Sequence, residues 1–193
     1  MEYYEIHGDQ KPQYYDGEYH PYPARGFTAV NDGEVDTSTL TIRIRTGTRP
    51  GDMLFATANV VSARFVDVLT SLHATGYTTA PIRLVKDGAT LATFYVLRIH
   101  GRGGPFDPVR SGPCYSKSNP TKVFAYEGAY MDESRWDGSD LFFIPGLGVR
   151  LFATERVAQA IKRARLKNVL VEHHSECGAL AAVRKWREKH MKK

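Results

Sequence analysis

The chain has 193 residues, 42% of them hydrophobic and 24% charged, which excludes a wholly disordered chain and gives enough length to bury a core without metal or disulfide staples. No run of about 18 apolar residues is present, so no membrane span is expected, and the opening Met1-Glu2-Tyr3-Tyr4-Glu5 has neither the basic nor the apolar region of a signal peptide. The formal charge of +5 is unevenly placed: 156–193 carry 11 Lys and Arg against Glu172, Glu176 and Glu188, a net of +8, which leaves −3 for 1–155.

A basic end on a mildly acidic body fits either an acidic partner or a pair of solvated helix faces. Cys114 and Cys177 stand apart and outside any Cys-x-x-Cys pair, which fits a reducing, cytoplasmic setting.

Along the chain, a first strand is predicted at 3–6, followed by loop to about residue 35, where Tyr, Pro and Gly crowd together. Leu40-Thr41-Ile42-Arg43-Ile44-Arg45 alternates as a half-buried strand. Ser62 is a good N-cap for Phe65, Val68, Leu69 and Leu72 at helical spacing, and Gly76 stands as a C-terminal stop, predicting a helix over 63–75. Strands over 80–85 and 91–99 flank Asp87-Gly88, a hairpin signal. The Gly- and Pro-dense 101–120 reads as a long loop, followed by strands at 121–126, 141–144 and 149–153.

Thr154 then caps a second helix through Val157, Ala160, Ile161 and Ala164, with a strand at 168–172 and a last helix over 176–191. Ser62-Ala63-Arg64-Phe65 aligns with Thr154-Glu155-Arg156-Val157, which fits either a duplicated strand–helix–strand unit or two ordinary capped helices. The expected fold is α+β with a mixed or mostly antiparallel sheet, as one domain over 1–193 in which 1–100 and 121–193 are joined by 101–120.

No motif assembles a catalytic or cofactor site. Gly101-x-Gly103-Gly104 leads into Pro105 rather than into a helix, so it lacks the context of a phosphate loop. His173-His174-x-x-Cys177 groups three soft ligands, but structural zinc usually takes two separated pairs, and the bland reading is a polar strand-to-helix turn. No Gly-x-Ser-x-Gly or similar nucleophile motif is present. The expectation is a protein with no metal, no cofactor and no enzymatic activity. Trp136-Asp137-Gly138-Ser139-Asp140-Leu141-Phe142, the most distinctive segment, reads as a structural Asx turn feeding a buried strand.

Several of these blocks together resemble the Imm-eleven family of bacterial immunity proteins from polymorphic toxin systems. The likeness rests on Met1-Glu2-Tyr3-Tyr4-Glu5-Ile6, Val60-Val61-Ser62-Ala63-Arg64-Phe65, the 136–142 turn, Leu151-Phe152-Ala153-Thr154-Glu155-Arg156-Val157, and 166–171. The paired Cys-x-x-Cys-Gly motifs of some relatives are missing here, so no metal carries over. The resemblance implies a non-catalytic cytoplasmic protein that binds and occludes a cognate toxin. Lys162, Arg163, Arg165 and Lys167 would steer the partner, and either the 101–120 segment with Arg102, Phe106 and Arg110 or the Tyr-rich N-terminal segment would supply shape. The alternative is a nucleic-acid-binding module that uses the basic C-terminal helices.

Overall fold

A computed structural model describes residues 1–9, 11–56, 59–115 and 121–177. The elements in order are β1 (Tyr3–Gly8), β2 (Asp16–His20), α1 (Gly26–Asn31), β3 (Thr41–Thr46), β4 (Phe55–Ala56), β5 (Val60–Val61), α2 (Ala63–Ser71), β6 (Tyr77–Lys86), β7 (Ala89–Ile99), β8 (Pro113–Tyr115), β9 (Val123–Tyr126), β10 (Leu141–Phe143), β11 (Leu151–Thr154), α3 (Glu155–Ala164) and β12 (Val169–His173). Among the described residues the strands form an antiparallel sheet β10-β11-β1-β12, a mixed sheet β4-β2-β3-β6-β7-β5 and the small pair β8-β9. The fold is α+β, as the alternation of strand and helix patterns predicts.

Period-two alternation in the strands distributes the core into layers. Leu141 and Phe143 of β10, Leu151 and Ala153 of β11, Ile6 of β1, Val61 of β5 and Leu97 and Ile99 of β7 all enter a central cluster with Phe65 and Leu69 of α2 and Val157 and Ile161 of α3. The alternate residues Val60, Phe94 and Val96 face a second cluster with Tyr19, Ile42 and Leu84. On the other sheet, Tyr3, Phe142 and Phe152 face a third with Ala129, Met131 and Cys177. Phe65 and Leu69 are fully buried, each contributing about 2–3 kcal/mol by leaving water.

Several expectations are corrected. The expected loop up to residue 35 holds β2 and α1. β2 escapes the alternation rule because Gly17, one of its inward positions, has no side chain to signal burial. The first helix ends at Ser71 rather than near 75, because His73 adopts the left-handed conformation (φ 49°) that stops it. Gly76 serves another purpose: a Cβ there would lie 2.2 Å from the Leu141 carbonyl oxygen, so a glycine lets the chain pass against β10.

The 101–120 segment is not wholly loop. It contains β8, and Gly101, Gly103 and Gly104 are buried, with the Gly103 N–H donating to the Phe143 carbonyl (2.8 Å) and the Phe143 N–H to Gly101 (3.1 Å). Thr154 precedes α3 without capping it through its side chain. The expected last helix lies, from 178 onward, outside the described residues.

The two helices are related by a reciprocal clamp. Ser62 Oγ accepts the Phe65 N–H and donates to Asp52 (2.7 Å), and Asp52 also accepts the Lys167 N–H (2.6 Å) just beyond α3. Thr154 Oγ1 donates to Asp140 (2.9 Å), which also accepts the Thr75 N–H (2.9 Å) just beyond α2. Arg64, near the start of α2, donates to the Ala164 carbonyl at the end of α3, and Arg156, near the start of α3, donates to the Leu72 carbonyl at the end of α2.

The spacing that carries Ser62 onto Thr154 also carries Leu72 onto Ala164, left-handed His73 onto left-handed Arg165, Thr75 onto Lys167 and Gly76 onto Asn168, both of the last pair at positive φ. The sheets follow suit. β5 and β6 flank β7 as β11 and β12 flank β1, and Met53 bridges Val61 as Leu141 pairs with Ala153. The duplicated-unit reading therefore describes the structure, with the third strand taken from after the unit in one half and from before it in the other.

Asp140 is buried, which disfavours its charge, yet hydrogen bonds from Arg156, Thr75 and Thr154 outweigh this and hold its carboxyl below the usual range. A depressed folded pKa stabilises above the unfolded value and is lost as pH falls through that range. Asp140→Ala should cost about 3 kcal/mol in denaturant unfolding at neutral pH. The gap to wild type should shrink as pH is lowered below about 4. An unchanged midpoint would remove the clamp from the account of stability.

Candidate functional site

The last turn of α3 and the turn after it carry Lys162, Arg163, Arg165 and Lys167, all exposed. Cations at a helix C-terminus usually satisfy its last carbonyls. Here Arg64 takes the Ala164 carbonyl and the Arg165 N–H takes that of Lys162 (3.1 Å). None of the four forms an ion pair among the described residues. Lys162 lies over the Tyr4 ring, 4.7 Å from its centre. Arg64, more than half exposed, joins this group at the α3 end. Its only sequence signal is its alignment with Arg156.

The other expected partner residues sit elsewhere. Phe106 is half-buried, packed edge-on to Tyr126 at 4.8 Å and against the third cluster. Exposed Arg110 covers the Tyr130 ring at 5.0 Å and donates to the Met131 carbonyl (3.3 Å). Arg102 is exposed, and its backbone N–H donates to Asp137 (2.7 Å). The residue lines a cleft of about 290 Å³ between α1 and the turn after β10, whose walls include Phe27, Phe143, Ile144, Pro145 and Val149. Asn31 at the cleft floor is fully engaged with the Ile99 backbone, donating to its carbonyl (3.1 Å) and accepting its N–H (2.8 Å).

The 136–142 segment forms the Asx turn that its sequence suggests, and it leads into β10. Trp136 Nε1 donates to the Ser139 carbonyl (3.1 Å), and Asp137 accepts the Ser139 N–H (2.9 Å).

Near the end of β12, the grouping expected from His173-His174-x-x-Cys177 is rearranged. Cys177 turns into the third cluster, where its thiol donates to the His174 carbonyl (3.2 Å). Glu2, just before β1, comes in instead: one ligand atom from each of Glu2, His173 and His174 lies within 4.8 Å of the others. His174 is buried, stacked on Tyr3 at 4.1 Å, with Nδ1 3.2 Å from the Tyr3 carbonyl oxygen. Burial, with the neighbouring His173 charge, pushes the His174 pKa down. Further along the same strand pair, Glu5, His7 and Glu172 form a similar group, but Arg150 holds Glu5 in a two-pronged ion pair.

No helix among the described residues is long and apolar enough to cross a membrane. No protein-family model matches the chain, and no curated protein does.

Burial pushes the Cys177 thiol up to about 12, leaving almost no thiolate at neutral pH, whereas Cys114 is half-buried. A thiol-alkylating reagent should therefore modify Cys114 in the folded protein and spare Cys177 until denaturant is added. Peptide mapping that found Cys177 alkylated first would reopen a nucleophilic role for it.

Proposed function

We propose that this chain is a cytoplasmic immunity-type protein that binds and neutralises a cognate bacterial toxin by occluding it, without catalysing a reaction. The observation that carries the reading is the exposed group of Lys162, Arg163, Arg165 and Lys167, with Arg64 beside them. Lys162, Arg163, Arg165 and Lys167 form no ion pairs among the described residues, and the Ala164 carbonyl at the end of α3 is taken by Arg64 instead. A concentrated charge of one sign on a rigid helix end speeds encounter with an acidic surface and fixes its orientation. The resemblance of the 62–65, 136–142 and 151–157 blocks to the Imm-eleven family supplies the class of partner. The cleft lined by Phe27, Phe143, Ile144 and Val149 together with Arg102 adds an apolar recess of the kind that takes an interface anchor.

The same cations would serve a polyanion, so salt separates the two readings. Binding held by phosphate contacts falls steeply with log salt, whereas a desolvated protein interface falls much less. Tagged protein drawn from nuclease-treated native lysate should retain one stoichiometric protein at both low and high salt. That partner should be toxic when expressed alone and harmless when co-expressed with this chain.

Replacing Lys162, Arg163, Arg165 and Lys167 together by Glu should slow association at low salt at least about tenfold, with a smaller change in dissociation. Recovery of nucleic acid alone, lost at high salt, would overturn the immunity reading in favour of a polyanion site.

A further inference from the structure

We infer that Glu2, His173 and His174 form a binding site for a borderline divalent cation of the zinc type. The three side chains come from one end of an antiparallel strand pair, where Glu2 enters β1 and His173-His174 leave β12, and the Tyr4–His173 pairing sets them side by side. Two imidazoles and one carboxylate make a ligand set that zinc accepts with a position left open. The nitrogen donors favour Zn²⁺, Co²⁺ or Ni²⁺ over Mg²⁺ and Ca²⁺, which prefer oxygen.

Support from outside the ligand set points the same way. A metal-bound histidine normally donates its other ring N–H to a carbonyl, carboxylate or similar acceptor, which fixes the ring and the tautomer. His174 has Nδ1 at the Tyr3 carbonyl (3.2 Å), leaving Nε2 with the lone pair, and its ring is held between Tyr3 and Tyr130. His173 has Nδ1 at Ser175 Oγ (2.6 Å) and Nε2 at the Glu2 carboxylate. In the metal-free chain His173 Nδ1 accepts the Ser175 N–H (3.3 Å) and Nε2 shares its proton with Glu2; coordination through Nε2 moves that proton to Nδ1, where Ser175 Oγ accepts it, and the cation takes its place between His173 and Glu2. The geometry explains why the sequence pattern alone misleads. Cys177, the obvious soft ligand, faces the third cluster, and the third ligand is a carboxylate from the far end of the chain.

The test uses the full chain, freed of metal, titrated with Zn²⁺ by calorimetry and with Co²⁺ by visible absorption. One Zn²⁺ should bind with a Kd of about 1 µM or tighter, and the Tm should rise with zinc. The Co²⁺ spectrum should show d–d bands without the strong near-ultraviolet band of a cobalt–thiolate bond. Glu2→Gln and His173→Ala change exposed or half-buried side chains, so both should keep the metal-free Tm, weaken zinc at least about tenfold and abolish the zinc-dependent Tm rise. His174→Ala removes a buried, stacked ring and is reserved as a fold control. Absence of saturable zinc binding, a cobalt–thiolate band, or zinc affinity that either variant leaves intact would overturn the site.

Discussion

Each half of this molecule is locked to the other by a carboxylate placed where one helix begins and the other ends. Asp140 receives N–H groups from Nε and Nη2 of Arg156, the Thr154 hydroxyl, and the backbone N–H and hydroxyl of Thr75. Asp52 receives the Ser62 hydroxyl and the Lys167 N–H, with Arg64 at 3.5 Å. Charge-assisted bonds of this kind are about twice as strong as neutral ones, and a buried carboxylate stripped of its donors is worse than none. Because α2 and α3 supply the middle of the central cluster, which draws on both large sheets, the clamps set the placement of those sheets as well as that of the helices. The second and third clusters lie on the outer faces of the same strands and inherit that placement.

The clamp also explains why the surface has cations to spare. The first-turn arginines are consumed at the opposite helix ends, so the Ala164 carbonyl is taken by Arg64 and that of Lys162 by the Arg165 N–H. Lys162, Arg163, Arg165 and Lys167 then project from a helix end whose dipole already favours positive charge. They form no ion pairs among the described residues, so their charge faces solvent. A solvated helix face would give the same composition, but the ordinary structural job for basic residues at this position has been given to Arg64.

What the sequence reveals of this follows from which signals are local. The cap, arginine and first core residue of each helix are adjacent in the chain, so Ser62-Ala63-Arg64-Phe65 and Thr154-Glu155-Arg156-Val157 can be set side by side without a structure. Asp52 and Asp140 fall off that common spacing, and no local pattern marks them as hubs. The sheet equivalence is hidden by order: β7 follows its helix, whereas the matching β1 opens the chain, and only strand pairing reveals that they correspond. The glycines of 101–104 are misleading for another reason. Glycine is used where backbone must approach backbone as well as where a loop must turn, and a Cβ on Gly104 would lie 1.7 Å from the Asp132 carbonyl oxygen. Composition alone cannot tell these uses apart.

The duplication is most informative where it fails. The spacing that superposes the helices sets Ala80, Pro81 and Ile82 of β6 against Glu172, His173 and His174 at the end of β12. In the first half those positions pair with β7, with Ala80 and Ile82 buried, and β3 joins the other side of β6 from Arg83 onward. In the second half the sheet has no such neighbour beyond β12 among the described residues, and the same positions carry a carboxylate, Glu172, beside His7 and two imidazoles beside Glu2. Two halves that share caps, clamps and pairing need the same residues only where those features act. A strand released from pairing on one side is free to replace apolar residues with titratable ones, provided they find partners. Here His174 is stacked on Tyr3, His173 meets Glu2 and Ser175, and Glu5 is neutralised by Arg150. The polar end of β12 is thus the place where a repeated scaffold has been turned to a use that the other copy does not share.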